Sequence, residues 1–426
     1  MAEVMRRRWI STLGGSGLPR KDTRSCEYEA YVPDPLAGRR IVLDGEVAAD
    51  VADAESAITR LNAEARAPVD TEALARILLR AEAVASSRIE GLVVGARRLL
   101  HAEVVRTLPE TPSDVTVHEV LNNIDAMVHA VESIGVGDPI TPDLLLELHR
   151  RLLRGTRLEE HGGNYREEQN WIGGSDYSPC AADFVPPPQE LVSDLVADLC
   201  AFCNTDDLPA VVQAAIAHAQ FETIHPFVDG NGRTGRALIH MVLRRRGIAE
   251  HVLPPVSLVL ATLARSYIDG LTAFRYVGSA SSPQALEGLN MWVGRFAGAC
   301  TRSVQDAMAF EARAAELEAS WRQRLGSVRA SSATDRLLRI LPGAPILTVD
   351  GAAKLIGRTF NPANEAIHRL VESGILRQVT IGRRNRAYEA PEIIAAFTAL
   401  ERQLASPEGN TRTSKPVRRV PERRPG

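Results

Sequence analysis

Apolar residues recur along most of this 426-residue chain with the three-to-four-residue spacing of amphipathic helices. The helical pattern is first sustained over residues 43–106, a stretch rich in Ala, Leu, Glu and Arg with few helix breakers. It then recurs at residues 118–134, 141–153, 190–203, 208–223, 233–246 and 258–325. The hydrophobic pattern therefore predicts an all-α core.

Three stretches depart from this helical pattern. Residues 1–40 mix Gly, Pro and charged residues, and we expect them to be irregular. Residues 162–188 are rich in Gly, Tyr, Trp and Pro, which favours an ordered loop or a short hairpin. From Ser406 onward the chain is polar and basic, which is typical of a disordered tail.

Composition places the chain among ordinary globular proteins. Hydrophobic residues make up 45% and charged residues 24% of the chain, and the formal net charge of −3 predicts no whole-protein affinity for nucleic acid or an anionic membrane. No stretch is long and apolar enough to span a bilayer, and no apolar secretory segment follows the arginines at positions 6–8. We therefore expect a cytoplasmic protein without a membrane partner.

The cysteines change this picture little. Five cysteines spread over a long chain do not predict a disulfide framework. Cys200 and Cys203 form a C-x-x-C pair, but they lie in an apolar helical run with no second pair nearby, so we interpret them as buried helical thiols rather than a metal or redox site.

Candidate chemistry is concentrated in residues 225–236, which read HPFVDGNGRTGR between two predicted helices. The second helix is expected to begin at or near Arg233, and its first N–H groups have no partner within the helix, so they can bind phosphate. Gly230, Asn231 and Gly232 can turn further backbone N–H groups inward as an anion nest.

The side chains of the same segment complete a site for phosphorus chemistry. Arg233 and Arg236 are three residues apart on the new helix, so both guanidinium groups can reach one phosphate chain. Asp229 is a hard carboxylate suited to Mg²⁺, and His225 is the one group here whose unperturbed pKa suits proton abstraction near neutrality. These groups predict transfer of a phosphorus centre.

Other readings of the glycines are less consistent with the sequence. Gly230, Gly232 and Gly235 formally satisfy the dinucleotide-binding G-x-G-x-x-G pattern, but a helix rather than a strand precedes them. The chain contains no G-x-x-x-x-G-K-[ST] loop, which excludes a Walker-type NTPase. A plain glycine-rich turn with a solvated charged face explains a glycine pair but not the whole string.

These residues resemble the signature of the Fic family, H-x-F-x-[D/E]-G-N-G-R-x-x-R, at every fixed position. The resemblance extends over about residues 25–320, from the YEAYVP segment at 28–33 to a flap that includes GNYR at 163–166 and NWIGG at 170–174. Membership of the family implies an all-α core with a short flap hairpin. It also implies an enzyme, a nucleotidyltransferase that moves AMP from ATP to a Tyr, Thr or Ser hydroxyl of a protein.

The resemblance assigns a role to each residue of the signature. His225 would deprotonate the hydroxyl, Asp229 would hold Mg²⁺, and Phe227 would pack under the loop. The flap would clamp the target as an added strand. The nucleotide would be bound by Gly230, Asn231, Gly232, Arg233, Thr234, Gly235 and Arg236, with Tyr267 as a looser match for the wall of the adenine site, and the target would dock on Ile172, Gly173 and Gly174.

A second motif resembles the inhibitory helix of the family, [S/T]-x-x-x-E-[G/N]. Ser86, Glu90 and Gly91 fit it, within a helix expected at about residues 80–92. Ser86 and Glu90 are four residues apart and share a helix face. The resemblance implies autoinhibition, in which Glu90 pairs with Arg236 and keeps it from the γ-phosphate. The alternative is that Glu90 is an ordinary surface residue of the helix.

The C-terminal region resembles a winged helix over residues 332–395. Helices are expected at 349–356 and 363–373, with a wing at 379–388 that carries positive charge at Arg377, Arg383, Arg384 and Arg386. Such modules bind DNA or mediate homodimer contacts, and both possibilities stay open. The predicted organisation is an N-terminal segment (1–106), a catalytic core (107–325), a small α+β domain (326–400) and a tail (401–426).

Two alternatives to an autoinhibited protein adenylyltransferase follow from the same residues. One is a related enzyme that uses another nucleotide or phosphate donor, or that removes AMP. The other is a DNA-binding transcriptional regulator whose helical core only senses nucleotide. In the leading interpretation the acceptor is a partner protein or the chain itself.

Overall fold

A computed structural model describes residues 1–11, 23–64, 68–107, 114–175, 177–381 and 385–404 of the chain. Within these ranges the protein is mostly helical, as the pattern predicts, with two small sheets. The helices before the C-terminal module are α1 (Gly45–Glu64), α2 (Pro68–Ile89), α3 (Ala96–Val105), α4 (Val115–Glu132), α5 (Pro142–Leu153), α6 (Val192–Cys203), α7 (Ala210–Ile224), α8 (Asn231–Arg245), α9 (Val256–Thr262), α10 (Ala264–Phe274) and α11 (Pro283–Leu325).

Helices α7 and α8 form the centre of the helical core. Almost every residue of both helices is buried, so α7 is apolar on all sides and other helices cover it. The indole N–H of Trp292 on α11 donates to the carbonyl of Ala215 on α7 at 2.7 Å. The connection between α7 and α8 is therefore positioned by a rigid, fully packed helix pair.

Capping residues define the starts of several core helices. The side chain of Thr141 accepts a hydrogen bond from the N–H of Leu144 at the start of α5, where Pro142 takes the first helical position. Ser282 caps α11 in the same way, ahead of Pro283. Helix α11 is 43 residues long and runs from the core into the C-terminal module.

Two segments within residues 1–40 are strands rather than irregular chain, so the expectation was wrong for these segments. Strands β1 (Glu3–Trp9) and β2 (Cys26–Val32) form an antiparallel pair in which Glu3 faces Val32 and Trp9 faces Cys26. None of the seven residues of β1 is fully buried, and three consecutive arginines interrupt any alternation of polar and apolar positions. The hairpin consequently left no hydrophobic signal in the sequence.

Cysteine pairing is limited to one bond. A disulfide joins Cys26 of β2 to Cys180, 154 residues later, and ties the hairpin to the segment expected to form the flap. Cys200, Cys203 and Cys300 are free and buried. Burial raises the pKa of the Cys200 thiol to about 12, so this group stays a protonated core thiol, in agreement with the interpretation of the C-x-x-C pair.

The flap segment at 162–188 is an ordered loop and not a regular hairpin. Its pairing across the loop rests on an isolated antiparallel bridge between Ile172 and Phe184, with a second bridge between Ser175 and Ser178. Trp171 packs edge-on against Trp9 at 5.3 Å between ring centroids, and its indole N–H donates to the carbonyl of Ser175. Aromatic packing on the N-terminal hairpin therefore holds the loop in place.

The C-terminal module combines helices α12 (Ala333–Ile340), α13 (Val349–Ile356), α14 (Phe360–Glu372) and α15 (Pro391–Leu404) with strands β3 (Ile346–Leu347), β4 (Arg377–Ile381) and β5 (Asn385–Glu389). The strand order is β3-β5-β4, with antiparallel pairs. Its second helix has the predicted bounds and the third begins three residues earlier than expected, whereas Arg383, Arg384 and the tail beyond residue 404 lie outside the described residues. The assignment as a winged helix stays a prediction.

No helix within the described ranges combines the length and the apolar character that a membrane crossing requires.

Candidate active site

His225 ends helix α7 in a left-handed backbone conformation, with φ 49° and ψ 60°. A non-glycine residue rarely adopts this region, so the surrounding structure must hold it there. Two side chains from the flap segment do so, because Arg166 Nε and Asn170 Nδ2 donate to the His225 carbonyl at 2.9 and 3.2 Å. The conformation directs the chain sharply from α7 into the loop.

The imidazole of His225 is a neutral base in this setting. Burial, with the positive charge of Arg166 as the next cause, lowers the pKa of His225 to about 4. The ring is therefore unprotonated near neutral pH, and its Nδ1 atom is buried without a hydrogen-bond partner in the described structure. A hydroxyl brought to this ring would meet a group able to take its proton.

Packing of Phe227 and hydrogen bonds from Asn231 hold the loop after His225 in place. Phe227 is fully buried, as the resemblance implied, and stacks on His149 of α5 at 3.7 Å between ring centroids. The amide of Asn231 bonds back to the N–H and carbonyl of Phe227 at 2.8 and 2.9 Å. Gly230 has φ 78° and precedes α8, so the helix begins at Asn231, two residues earlier than expected.

His149 was not recognised from the sequence, although it supports the loop directly. Its Nδ1 accepts from the N–H of Gly163 and its Nε2 donates to the carbonyl of Asp229, both at 3.0 Å. Burial lowers the pKa of His149 to about 4, which agrees with the neutral tautomer that these two bonds require. His149 thus connects the signature loop to the start of the flap segment.

The start of α8 has the features of an anion site. Arg233 is 3% exposed, and its Nε and Nη1 atoms have no hydrogen-bond partner in the described structure, as is also true of the hydroxyl of Thr234. A buried guanidinium with unused donors is costly unless an anion pairs with it. A cavity of about 200 Å³ opens beside Arg233, Asp229 and Glu90. These unused donors fit a phosphate chain.

Asp229 faces the same cavity and is half exposed. Its Oδ1 accepts from the N–H of Gly230 at 2.6 Å, and its Oδ2 lies 3.3 Å from Arg233 Nη2. No cluster of three or more His, Cys, Asp or Glu side chains that could hold a metal occurs in the part of the chain that the structure describes. Asp229 fits Mg²⁺ in the usual manner of nucleotide sites, as one carboxylate that shares the ion with phosphate oxygens.

Arg236 is bound to the end of helix α2. Its Nη2 donates to Glu90 Oε1 at 2.6 Å and to the Ser86 carbonyl at 2.8 Å, while its Nε donates to Ser86 Oγ at 2.9 Å. Arg236 is 1% and Glu90 37% exposed, and, although burial opposes it, the carboxylate of Glu90 raises the pKa of Arg236. The structure thus brings together the two residues that the inhibitory motif implied would pair.

Gly232 and Gly235 lie so close to neighbouring side chains that a larger residue would not fit at either position. A Cβ atom on Gly232 would collide with the carboxylate of Glu90, so only glycine allows Glu90 to reach over the start of α8. Gly91 follows at φ 81° and turns the chain away after α2. Gly235 packs against Phe221 and His218 of α7.

Tyr267 is buried in the core and does not line the cavity beside Arg233. It is 6% exposed, and its hydroxyl lies 2.9 Å from His218 Nε2, with the two rings stacked. Nearby Glu222 has no hydrogen-bond partner for Oε1 in the described structure, and burial raises its pKa to about 7. Contact of Tyr267 with an adenine base stays a prediction.

The flap residues Ile172, Gly173 and Gly174 lie together on the exposed side of the loop. Ile172 is 38% exposed. Gly173 and Gly174 have φ angles of 76° and 75°, and a Cβ atom on either would collide with Asp183 or with the backbone of Ala181. The glycines therefore shape the loop so that Ile172 remains available at its surface.

A second buried network, which the sequence did not reveal, holds α2 against α8. Glu82 is fully buried and accepts from His240 Nε2 at 2.8 Å and from the N–H of Ser257 at 2.7 Å, as well as from the Ser257 hydroxyl. These bonds satisfy the carboxylate and fix α2 beside the helix that carries Arg236. Separations of more than 150 residues between these partners gave no local signal.

Comparison with known proteins agrees with this fold and site. Residues 139–243 match the model of the Fic/DOC family, and residues 48–132 match that of the Fic/DOC family N-terminal region. The helix–loop–helix site at residues 225–236 lies within the first of these two matched segments. The chain carries a Fic/DOC family domain preceded by the N-terminal region of that family.

Similar proteins include curated relatives and a solved structure. The chain is 35% identical over 131 residues to the protein adenylyltransferase fic-1 of Caenorhabditis briggsae and 35% identical over 140 residues to the protein adenylyltransferase Fic of Drosophila virilis. These matches cover 30% and 32% of this chain, and 23% and 27% of the relatives. A crystal structure of a Fic family protein from Desulfovibrio desulfuricans shares the fold, with a TM-score of 0.51 at 22% identity over 84% of this chain and 98% of that one.

Proposed function

We propose that this chain is an autoinhibited protein adenylyltransferase, which transfers AMP from ATP to a Tyr, Thr or Ser hydroxyl of a protein or of the chain itself. The matched segment spans about a quarter of the curated relatives named protein adenylyltransferase, so their activity comes to this chain as a proposal. The observation that carries it is a neutral, half-buried His225 beside a helix start whose Arg233 has unused donors.

The reaction is a substitution at the α-phosphorus of ATP. His225 takes the proton of the acceptor hydroxyl, whose oxygen bonds to the α-phosphorus while the bond to the pyrophosphate oxygen breaks. The products are the AMP ester of the protein and pyrophosphate. Mg²⁺ held by Asp229 would supply neutralisation of the charge that develops on the leaving group.

Backbone and side-chain donors position the phosphates. The N–H groups of Asn231 and Gly232, joined by that of Gly230 when Asp229 no longer accepts it, would surround the α- and β-phosphates at the start of α8. Arg233 would bind the β/γ end, with the Thr234 hydroxyl and the Gly235 backbone completing the first turn. This arrangement is supported by the unpartnered atoms of Arg233 and Thr234.

Inhibition rests on Glu90. While Arg236 is bound to Glu90 and Ser86, it cannot reach the γ-phosphate, and the carboxylate of Glu90 repels a phosphate chain at the same place. ATP would then bind in an unproductive arrangement or not at all. Movement of Glu90 out of the site would restore Arg236 to the nucleotide.

The acceptor segment would dock along the flap. The backbone near Ile172 pairs with the opposite side of the loop through an isolated bridge, so an extended peptide could add to this edge as a strand. The exposed Ile172 side chain would give the peptide an apolar contact.

The deciding experiment combines two variants. The Glu90→Gly variant, mixed with ATP, Mg²⁺ and a cell lysate, should label proteins with AMP far more strongly than the wild type does, as measured by mass spectrometry. Glu90→Gly with His225→Ala should lose this label because no base remains. If Glu90→Gly labels nothing, or labels equally without His225, the proposed function is wrong.

The competing enzymatic readings share the same loop. Incubation of Glu90→Gly with labelled ATP, GTP, UTP and CTP separates an AMP donor from another nucleotide, and incubation with AMP-modified protein detects removal of AMP. The intact Gly232-Arg233 pair and the relatives named adenylyltransferase favour ATP.

The alternative of a DNA-binding regulator meets an obstacle in the structure. Arg377 of β4 is 60% exposed but is engaged in an ion pair with the buried Glu389, which also pairs with Arg97 and His101 of α3. A salt-dependent mobility shift with duplex DNA would test this alternative directly, and sedimentation would test the predicted homodimer.

A further inference from the structure

The C-terminal module packs against the helix α2, at whose end the inhibitory motif lies, and contacts it near its start, middle and end. Near the start of α2, Gly343 packs so closely that a Cβ atom on it would lie 2.7 Å from the Cα of Ala73. In the middle, Arg80 is 4% exposed and donates to the Gly343 carbonyl at 3.3 Å. Near the end, Arg88 donates to the carbonyl of Glu401 at 3.4 Å. A displacement of the module would therefore change its contacts with α2, including the Arg88 contact, which lies two residues before Glu90.

A cleft of about 480 Å³ opens where the module meets the first turns of α2. Its lining includes the apolar side chains of Ala73, Ile340 and the exposed Leu355. Its volume is within the range of pockets that hold small organic ligands. The residues that line the cleft include none of the signature loop, so it is a different site from the cavity beside Arg233.

The charges of the cleft favour an anion. Four cations line it, namely Arg76 on the α2 side and Arg336, Arg339 and Lys354 on the module side, against two carboxylates. Each carboxylate pairs with one of these four cations, so the lining keeps two more cations than carboxylates. Glu72 accepts from Arg76 at 2.6 Å, and the buried Asp335 pairs with Arg322 at 2.8 Å and with Arg339 at 3.6 Å.

We propose that this cleft binds a small anion with two or more phosphate groups, either inorganic or part of a nucleotide, and that its occupancy holds α2 in the inhibitory position. The proposal rests on the autoinhibition by Glu90 proposed above. A chain of phosphates can contact Arg76 on one wall and Lys354 on the other at once, which a single-charged ligand cannot do as well.

The regulatory effect follows from the two-sided character of the cleft. A ligand that contacts both walls binds only the arrangement in which the module is docked on α2, so it stabilises that arrangement in proportion to its affinity. The docked arrangement places Glu90 on Arg236. By linkage, occupancy of the cleft opposes release of Glu90 and lowers AMP transfer.

Binding is tested by calorimetry on the full chain, with inorganic pyrophosphate and GDP as probes. All proteins carry Arg233→Ala, which weakens the other phosphate site. Arg76→Glu with Lys354→Glu should weaken binding at least tenfold, whereas Arg60→Glu, an exposed charge reversal on α1, should not. Binding of pyrophosphate and GDP alike supports recognition of the phosphates, and binding of GDP alone supports an added role for the apolar interior. No binding, or equal binding by the charge-reversed protein, overturns the proposal.

Coupling to α2 is tested by hydrogen exchange, which does not depend on AMP transfer. Saturating probe should slow exchange of the α2 amides between residues 81 and 89 in the protein with an intact cleft and leave the charge-reversed protein unchanged. Circular dichroism spectra of the two proteins should coincide. A chain that binds the probe without slower exchange in α2 contradicts the regulatory role, whether or not the chain proves to be an adenylyltransferase.

Discussion

The pairing of Glu90 with Arg236 gives a quantitative prediction for the Glu90→Gln variant. Glutamine keeps the shape of the side chain and an oxygen acceptor, so the hydrogen bond to Arg236 Nη2 can persist while the charge is lost. Arg236 keeps its two bonds to Ser86 but is left as a buried cation without a charged partner. The variant therefore isolates the ionic part of the inhibitory contact.

The size of this effect follows from burial. Breaking a buried ion pair costs about 3–5 kcal/mol, but Glu90 is 37% exposed and water screens part of its charge. Because the variant also keeps the hydrogen bond, we expect a loss of stability of about 1–2 kcal/mol. In the wild type, a nucleotide phosphate must displace this ionic contact before it can pair with Arg236. Removing the contact should therefore increase the affinity by the same free energy, so a non-hydrolysable ATP analogue should bind about 5–30-fold more tightly to Glu90→Gln than to the wild type.

Calorimetric titration of both proteins with the analogue measures this difference in affinity. Thermal unfolding of both proteins without the analogue measures the loss of stability. Glu119→Gln is a matched control, because Glu119 lines the same cavity but has no contact with Arg236 among the described hydrogen bonds and ion pairs. If Glu119→Gln increases affinity as much as Glu90→Gln, a general change of charge explains the result. Equal affinities of wild type and Glu90→Gln would show that Glu90 does not compete with phosphate.

Three further predictions concern catalysis and the flap. Because desolvation lowers the folded-state pKa of His225 to about 4, kcat/KM of Glu90→Gly should stay level between pH 5 and 7 and decline only toward pH 4; a decline centred near 6.5 would contradict this lowered pKa. Arg166→Lys should lower kcat by about 10–100-fold with little change in KM, because lysine lacks the fork that holds the His225 backbone, and an unchanged kcat would remove that role. Cys26→Ser opens the link to Cys180 and should reduce the free energy of unfolding in urea by about 2–4 kcal/mol, an effect that a thiol reductant should reproduce in the wild type and not in the variant.

Local sequence determined most of what could be predicted about the site. Residues 225–236 contain the base, the anion cradle and both arginines. Because these residues occupy one loop and the start of one helix, their spacing along the sequence already places them close together. Helix α13 was predicted with the observed bounds from the winged-helix resemblance, and the structure shows Thr348 capping its start and Gly357 ending it. Features that depend on a few neighbouring residues were accessible without any knowledge of the fold.

Contacts between distant segments were not accessible in the same way. Arg166 reaches the His225 carbonyl across 59 residues, and Cys26 reaches Cys180 across 154. An arginine in a loop and a single cysteine on a strand carry no signal of their partners. The N-terminal hairpin was missed for a related reason, since strand β1 buries none of its side chains and therefore shows no alternation.

The contacts of α2 limit how inhibition could be relieved. Glu82 is buried among His240 and Ser257, and separating it from them would leave a charged carboxylate unsatisfied in the core, at a cost of several kcal/mol. Beyond Ser87, the side-chain polar contacts that the described residues at the end of the helix make are the ion pair of the part-exposed Glu90 with Arg236 and the contact of Arg88 with Glu401. Gly91, at φ 81° with open space where a Cβ atom would lie, can absorb a change in chain direction. Release of Glu90 is therefore expected to involve the last turn of α2 alone, while the middle of the helix stays on α8. A ligand or partner that frees Arg236 must compete with the Glu90 ion pair as well as with the Arg88 contact to the module. The Arg88 contact is the route by which the cleft proposed above would act on the signature loop through this helix.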